Sequence, residues 1–528
     1  PGSSEGTSLA SEILQRFREL QMDHTWTESL YLPHIQDRPS QLLMYVSLQG
    51  GVVYANYGRP EDFKWLKRED VSVAGCVVVM RVGGGVSFAE KVWLAEKNGA
   101  SGALIYPDPA DVPQDPRRLG LNTHTVHLGS GDPFTPGFPS FNHTQFPPIQ
   151  SSGLPLIPAL PITATVASKL LSNGRRVQMS VQNVMKPILL NNIFSSLEGR
   201  VEPDQYIILG AQRDSLGPGA VKSGVGTAIL LELARTFSAM VKKGFSPRRS
   251  LLFVSWDAGD FGNVGATEWL EVQPQQIQTK PNLSVYQNNC LTFDLPLTGL
   301  SVHASPEGCG LLQSGPGSHG AACGHTAGWT YPFINTPLDS VSRLQEVLGG
   351  RLGVTGRSLG ELVGEMVLRL AHDHILPLRI TSYAQTVLQF SAQLNKHSAE
   401  LGLSPQWVFS ARGDYSRAAE TLQRAIDYSD LHEPTITRFY NTRIMKVEYY
   451  FLSQYVSAVE TPFRHVIHGR GNHTLSALTE HLGLLTSDPG RFDESSFRRQ
   501  LALFTWTLQG AANALNGDVW SIHNMHPV

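Results

Sequence analysis

Charge is scarce in this chain: Asp, Glu, Lys and Arg make up 16% of its 528 residues, against about 25% in an average soluble domain. The 42 basic and 45 acidic residues nearly cancel, leaving a net charge of −3, and no basic run stands out. Without a local basic patch, a nucleic-acid surface is excluded as the working hypothesis. Cysteine is scarce too. Cys76, Cys290, Cys309 and Cys323 are too few for a disulfide scaffold, so apolar burial must carry the fold, and the redox compartment stays open. No run approaches the ~18 uninterrupted apolar residues of a membrane span. The start, Pro1-Gly-Ser-Ser-Glu5, lacks the charged and apolar regions of a signal peptide and has no initiator Met. That start suits a fragment or an ectodomain whose anchor lies upstream. No Gly-x-Ser-x-Gly elbow follows a strand, so a serine hydrolase lacks its nucleophile.

Apolar residues are plentiful, at 41%, with 49 glycines besides, which is the composition of a folded globular chain. The length suits roughly three to four domains. Leu9, Ile13, Leu14, Phe17 and Leu20 fall at helical spacing within residues 8–20. From Gly50 to Met185 the pattern turns β-rich, with a strand at Cys76–Val82, a helix at Ser87–Asn98 and a strand at Ala103–Tyr106. Tyr206–Gly210 and Ser250–Ser255 read as buried strands around a helix at Gly226–Met240, which predicts a parallel α/β sheet. Leu359, Leu362, Val363, Met366, Val367 and Leu370 open a helical region that continues through 411–427, 437–452 and 494–515. Gly308–Gly328, with seven glycines in 21 residues, fits no element and reads as a flexible insert.

In parallel sheets function sits outside the C-terminal strand ends, where two polar turns fall: Gln212-Arg-Asp214 and Asp257-Ala-Gly-Asp260. Paired carboxylates on adjacent strand ends can hold a catalytic metal, which invites a metallopeptidase using Asp214, Asp257 and Asp260. The donor set is short of an imidazole, since Gln212 stands where one is wanted. Lys222 follows nearby, and an ammonium beside a dication is electrostatically wrong. The bland alternative is that the three aspartates hold turns. Cys309, His319, Cys323 and His325 have zinc-capable atoms but not the spacing of a zinc finger. Arg412-Gly-Asp414 is placed at the start of a predicted helix. Asp414 either opens that helix or, with Arg412 and Arg417, forms a charged surface for a protein partner or an adhesion ligand.

Several long passages carry a resemblance: Gly131-Asp-Pro-Phe-Thr-Pro-Gly-Phe-Pro-Ser-Phe-Asn-His-Thr-Gln-Phe-Pro-Pro148, Leu209-Gly-Ala-Gln-Arg-Asp214, Gly262-Asn-Val-Gly-Ala-Thr-Glu-Trp-Leu-Glu271, Gln406-Trp-Val-Phe-Ser-Ala-Arg-Gly-Asp-Tyr415 and Arg499–Leu515. On these the chain resembles the extracellular part of the transferrin receptor family. The resemblance implies an α/β plus α fold: a zinc-aminopeptidase-like domain (1–49 and 186–350), an inserted β-rich protease-associated, or apical, domain (50–185) and a helical dimerisation and ligand-binding domain (351–528). Residues 272–330, where relatives have a longer stretch, read as an aberrant or disordered segment.

The resemblance further implies a homodimeric, single-pass type II plasma-membrane receptor for iron-loaded transferrin, internalised by endocytosis and serving iron uptake and sensing. The hereditary haemochromatosis protein is a second candidate partner. Active relatives such as glutamate carboxypeptidase II have His where this chain has Gln212 and Glu-Glu where it has Gly259-Asp260, which implies a peptidase that no longer holds catalytic zinc. Family positions for transferrin contact carry over to Arg412, Gly413 and Asp414, with Arg417 beside them. A structural calcium is implied at Thr135 and Phe138, through backbone oxygens, and at Glu268 and Glu271; by themselves those two glutamates read as a solvated helix face. A second Arg-Gly-Asp of one family member aligns with Gly469-Arg-Gly-Asn472, where Asn replaces Asp. Sequons at Asn142, Asn282 and Asn472 suit an exported glycoprotein.

Overall fold

A computed structural model describes residues 2–37, 44–83, 86, 88–111, 156–173, 176–260, 264–266, 268–269, 290–294, 301–305, 333, 336–397, 399, 402, 404–456, 465–468, 473–487 and 489–517. Helix α1 (Ser4–Glu19) begins at Ser3, whose hydroxyl accepts the Gly6 amide at 3.0 Å. Its buried stripe is Ala10, Ile13 and Phe17, whereas Leu9, read as core, is 40% exposed.

A seven-stranded mixed sheet forms the centre, in the order β1-β7-β9-β8-β10-β11, with β2 also paired to β7. Its strands are β1 (His24–Asp37), β2 (Met44–Gly50), β7 (Val177–Leu197), β8 (Glu202–Gln212), β9 (Arg249–Trp256), β10 (Cys290–Asp294) and β11 (Ser301–Ser305). The parallel heart is β9-β8-β10. Every residue of β9 is buried, which explains the continuous apolar run. Alternation then divides that run between two layers. Leu251 and Phe253 join Ile207 and Leu209 under α1, α5 (Val225–Lys242) and α7 (Leu352–His372), while Leu252, Val254 and Trp256 join Ile208, Phe194 and Trp269 on the opposite face. In α5 the stripe Ile229, Leu230, Leu233 and Phe237 is buried as the spacing predicts. In α7, Val363, Val367 and Leu370 are buried, but Leu362 is 56% exposed.

The second sheet is four-stranded and parallel, β3 (Val52–Tyr54), β4 (Val77–Arg81), β5 (Gly102–Tyr106) and β6 (Ala159–Pro161), with α2 (Pro60–Arg68), α3 (Phe88–Lys97) and α4 (Ala164–Asn173). Strand β7 does not respect the expected domain boundary at 185/186. Over 21 residues it pairs with β2 through residues 177–183, with β1 through 183–196 and with β9 through 193–197, running without interruption across that boundary.

Residues 272–330, read as an aberrant or disordered segment, contain two paired strands. Cys290–Asp294 runs parallel to Tyr206–Gly210 and extends the sheet, and Ser301–Ser305 pairs antiparallel with it. Two five-residue runs flanked by Gln, Asn and Gly give too short a period to stand out in sequence. The rest of that segment, including Cys309, His319, Cys323 and His325, lies outside the described residues.

The C-terminal part is helical: α6 (Val341–Val347), α7, α8 (Ser382–Lys396), α9 (Gln406–Asp427), α10 (Pro434–Tyr450), α11 (Leu475–Ser487) and α12 (Glu494–Asn516). Tyr415 lies at its core, fully buried, with its hydroxyl donating to the Ile380 carbonyl at 2.8 Å. Sheet and helices are locked together by charge. Glu202 accepts Nε of both Arg248 (2.9 Å) and Arg249 (3.2 Å) on one oxygen, while Arg249 also donates to the Leu370, Asp373 and His374 carbonyls. All three charged side chains are buried. Removing the carboxylate strands two guanidinium groups, so Glu202→Ala is expected to lose about 3–5 kcal/mol of stability in chemical denaturation. A loss under about 1 kcal/mol contradicts this role.

Candidate functional site

The two polar turns lie side by side because Gln212 and Trp256 are register partners at the ends of β8 and β9. The Arg213 amide extends the pairing to the Trp256 carbonyl at 2.9 Å. Two glycines make room. A Cβ on Gly210 would lie 2.1 Å from Nε1 of Trp256, and one on Gly259 would lie 2.2 Å from Cδ of Gln212. The Gln212 side chain thus fills the space in front of residue 259, and no larger residue fits there while Gln212 keeps this pose.

Each aspartate is committed to the chain's own donors. Asp214 accepts the Gly259 amide (2.7 Å) and the Asp260 amide (3.2 Å). Asp257 pairs with Arg213 at 2.9 Å and accepts the Asn191 amide at 3.1 Å. Asp260, only 4% exposed, accepts the Leu216 amide (2.7 Å), the Gln212 carboxamide (3.0 Å) and the Lys222 ammonium (3.2 Å). All three hold turns, as the bland reading has it. Lys222 reaches inward from a π-helical turn, Ala220–Gly224, whose first amides are fixed by Asp339: Val221 and Lys222 donate to its carboxylate at 2.9 and 3.1 Å. Arg213 and Asp339 were missed in sequence. Only the proximity of Arg213 to Asp214 hinted at the first, and nothing local marks the second, which lies over 100 residues away.

Glu268 is fully buried, so the solvated helix face read for it does not hold. Thr135, Phe138 and Glu271, the other calcium positions, lie outside the described residues, as do Asn142, Asn282 and Gly469–Asn472.

Arg412, Gly413 and Asp414 do not open a helix: α9 begins at Gln406, and the triplet runs from the end of its second turn into its third. At 100° per residue, Arg412 and Asp414 stand about 200° apart around the axis, so they flank the buried stripe on opposite sides. Asp414 and Arg417 form an ion pair one turn apart. Trp407, seven residues before Asp414 and therefore on the same edge, is 75% exposed. Sequence reasoning passed over it, although a tryptophan at that spacing was the available signal. Arg412 has a buried Nε without an acceptor in the described chain.

Two predictions follow from the strand-end cluster. Lys222→Met leaves Asp260 buried without its cation and is expected to lose about 3 kcal/mol in denaturant unfolding; an unchanged midpoint contradicts the pairing. Burial first, then the Asp260 and Asp257 carboxylates, push the Asp214 carboxyl from 3.8 up to about 6. Between those values the folded chain holds a proton that the unfolded chain releases, so this group's contribution to stability falls as pH rises through the window. Wild type measured against Asp214→Asn from pH 4 to 7 is expected to show that downward slope, and an upward slope contradicts it.

Comparison with known proteins agrees with this architecture. Residues 41–138 match the PA domain and residues 192–290 match Peptidase family M28. Transferrin receptor protein 2 of Rattus norvegicus is 42% identical over 638 aligned positions, spanning 99% of this chain and 79% of the relative. The human protein of the same name is also 42% identical, over 633 positions with the same coverage. Transferrin receptor protein 1 of Gallus gallus is 36% identical over 624 positions, covering 99% and 78%. These alignments are longer than the chain's 528 residues, so the relatives carry additional residues inside the matched span. With its PA and M28-like parts and its helical C-terminal region, the chain belongs to the transferrin receptor family.

Proposed function

We propose that this protein is a non-catalytic receptor that binds iron-loaded transferrin at the cell surface and serves iron uptake and sensing. The observation that carries the reading is the solvent edge of α9, where Trp407, Asp414 and Arg417 line up, with a half-buried Arg412 on the other flank of the buried stripe, in a family whose members are named for transferrin. An exposed tryptophan next to a guanidinium–carboxylate pair is the kind of side-chain set that dominates protein interfaces. The helix separates the Arg and Asp of the triplet, which disfavours an adhesion ligand that must present both to one flat partner.

Loss of peptidase chemistry is supported by the donors themselves. A carboxamide and an ammonium already satisfy Asp260, and a dication there would have to displace both. A homodimer, an upstream membrane anchor, and the hereditary haemochromatosis protein as a second partner belong to the same proposal, as does a calcium held by Glu268 and Glu271 with backbone oxygens of Thr135 and Phe138.

Arg417→Ala and Arg412→Ala are each expected to weaken binding of iron-loaded transferrin by about 2 kcal/mol or more in surface plasmon resonance. Unchanged binding curves for both return these positions of α9 to an ordinary helix surface. In parallel, incubation with zinc and acidic dipeptides is expected to give no turnover; chelator-sensitive hydrolysis refutes the non-catalytic assignment.

A further inference from the structure

Two histidines from distant parts of the chain meet at the end of the sheet where β9 begins, the end opposite the strand-end cluster. His374 lies in the bend after α7 and His432 in the bend between α9 and α10. Their ring centres are 5.3 Å apart, with the planes 80° to one another. Both bends are fixed from within. The His374 carbonyl accepts Nη2 of Arg249 at 3.0 Å and Nδ2 of Asn441 at 2.8 Å, while Oδ1 of Asn441 accepts the Leu376 amide at 2.8 Å. Asn441 is buried and belongs to α10, so the helix that follows one bend holds the other. The His432 amide donates to Oδ1 of Asp430 at 3.0 Å. The imidazoles themselves make no hydrogen bond or ion pair among the described residues, so neither ring is needed to hold its bend. His372, nearby in sequence, packs instead on Phe245.

The spacing selects the occupant. An imidazole nitrogen lies about 1.1 Å from its ring centre and a zinc ion about 2.1 Å beyond it, so two rings that share a tetrahedral ion have centres about 5.2 Å apart. Sharing an octahedral ion at a right angle would draw the centres to about 4.5 Å, well inside the separation seen. Imidazole suits zinc and is a poor ligand for calcium or magnesium, which take oxygen. The surrounding charge is compatible with a dication. Arg248 and Arg249 are turned inward, onto Glu202, Thr437 and the carbonyls of Leu370, Asp373 and His374, and the two bends carry Asp373, Asp430 and Glu433. Burial, and then the charge of Arg248, hold the His374 imidazole below its ordinary value, which leaves a lone pair available at neutral pH. Among the described residues no third His, Cys, Asp or Glu completes a cluster. Water therefore fills the rest of the shell, and a site with two protein ligands exchanges its ion more readily than a four-ligand structural zinc.

We propose that His374 and His432 form an exchangeable zinc site that joins the end of α7 to the α9–α10 connection. It lies beyond the far end of α9 from Trp407 and does not depend on the transferrin reading. The test begins with calorimetric titration of the whole chain with zinc chloride in a non-chelating buffer. Saturable uptake at micromolar zinc is expected, undisturbed by excess calcium or magnesium. His432→Gln and His374→Gln keep a polar side chain of similar length on bends that the rings do not hold. Each is expected to leave the melting temperature of the zinc-free protein unchanged and to remove that uptake or weaken it at least tenfold. A zinc-soaked crystal of the wild-type chain, recorded at the zinc absorption edge, is expected to show an anomalous peak about 2.1 Å from one nitrogen of each ring. That crystal decides the matter even if a variant folds poorly. The proposal is overturned by an absence of saturable uptake, by uptake undiminished in either variant, by competition from calcium, or by a soaked crystal with no peak between the rings, which would leave an edge-to-face contact and nothing more.

Discussion

The ion pair between Lys222 and Asp260 sets the character of this molecule. In a fold whose strand ends could gather a dication, the chain supplies its own monovalent cation, 3.2 Å from the carboxylate and held in place by a π-helical turn that Asp339 clamps through two amides. Burial of Asp260 makes such a partner obligatory, because a lone carboxylate at that depth costs several kcal/mol. Gln212 completes the closure by folding into the space that Gly259 leaves, presenting an N–H where a metal ligand would have to present a lone pair. The Asp260 carboxylate is thereby satisfied by the chain's own donors.

The scaffold also supplies rigidity. The sheet anchors the helical part through Arg248 and Arg249, which reach from the start of β9 to Thr437 of α10 and to carbonyls at and just after the end of α7, with buried Glu202 pairing both. Helix α9 is seated in that part by Tyr415, the residue after the Arg-Gly-Asp triplet, whose hydroxyl ties it to the segment preceding α8. A backbone next to a fully buried anchor has little freedom to move, so on the proposed reading Asp414 and Arg417 would meet a partner at a smaller entropic cost.

Much of the fold was legible in sequence because burial imposes periodicity. The stripe of α5 and the continuous apolar run of β9 were read correctly, since a helix packed on one side and a strand packed on both leave distinct patterns. Reading failed where the signal is shared between distant segments. Strand β10 is short and takes its place beside β8, more than 80 residues earlier, β11 pairs with β10 in turn, and β7 continues through an expected domain border because three partners pair along it. At the candidate site the sequence exposed the missing imidazole at Gln212 and the misplaced ammonium at Lys222. It could not show that these two groups converge on Asp260, because that depends on the register of Gln212 against Trp256 and on a turn bent by Asp339. The Arg-Gly-Asp triplet was recognised but placed at a helix start, because glycine and aspartate together read as a boundary; the buried faces of Val408, Ala411 and Tyr415 overrule that local preference.

The most direct measurement is a crystal soaked with zinc and recorded at the zinc absorption edge. The account requires that no anomalous peak lie within coordination distance of Asp214, Asp257 or Asp260 and that Lys222 remain on Asp260. A peak bound by those carboxylates, with Lys222 and Gln212 swung aside, would contradict it.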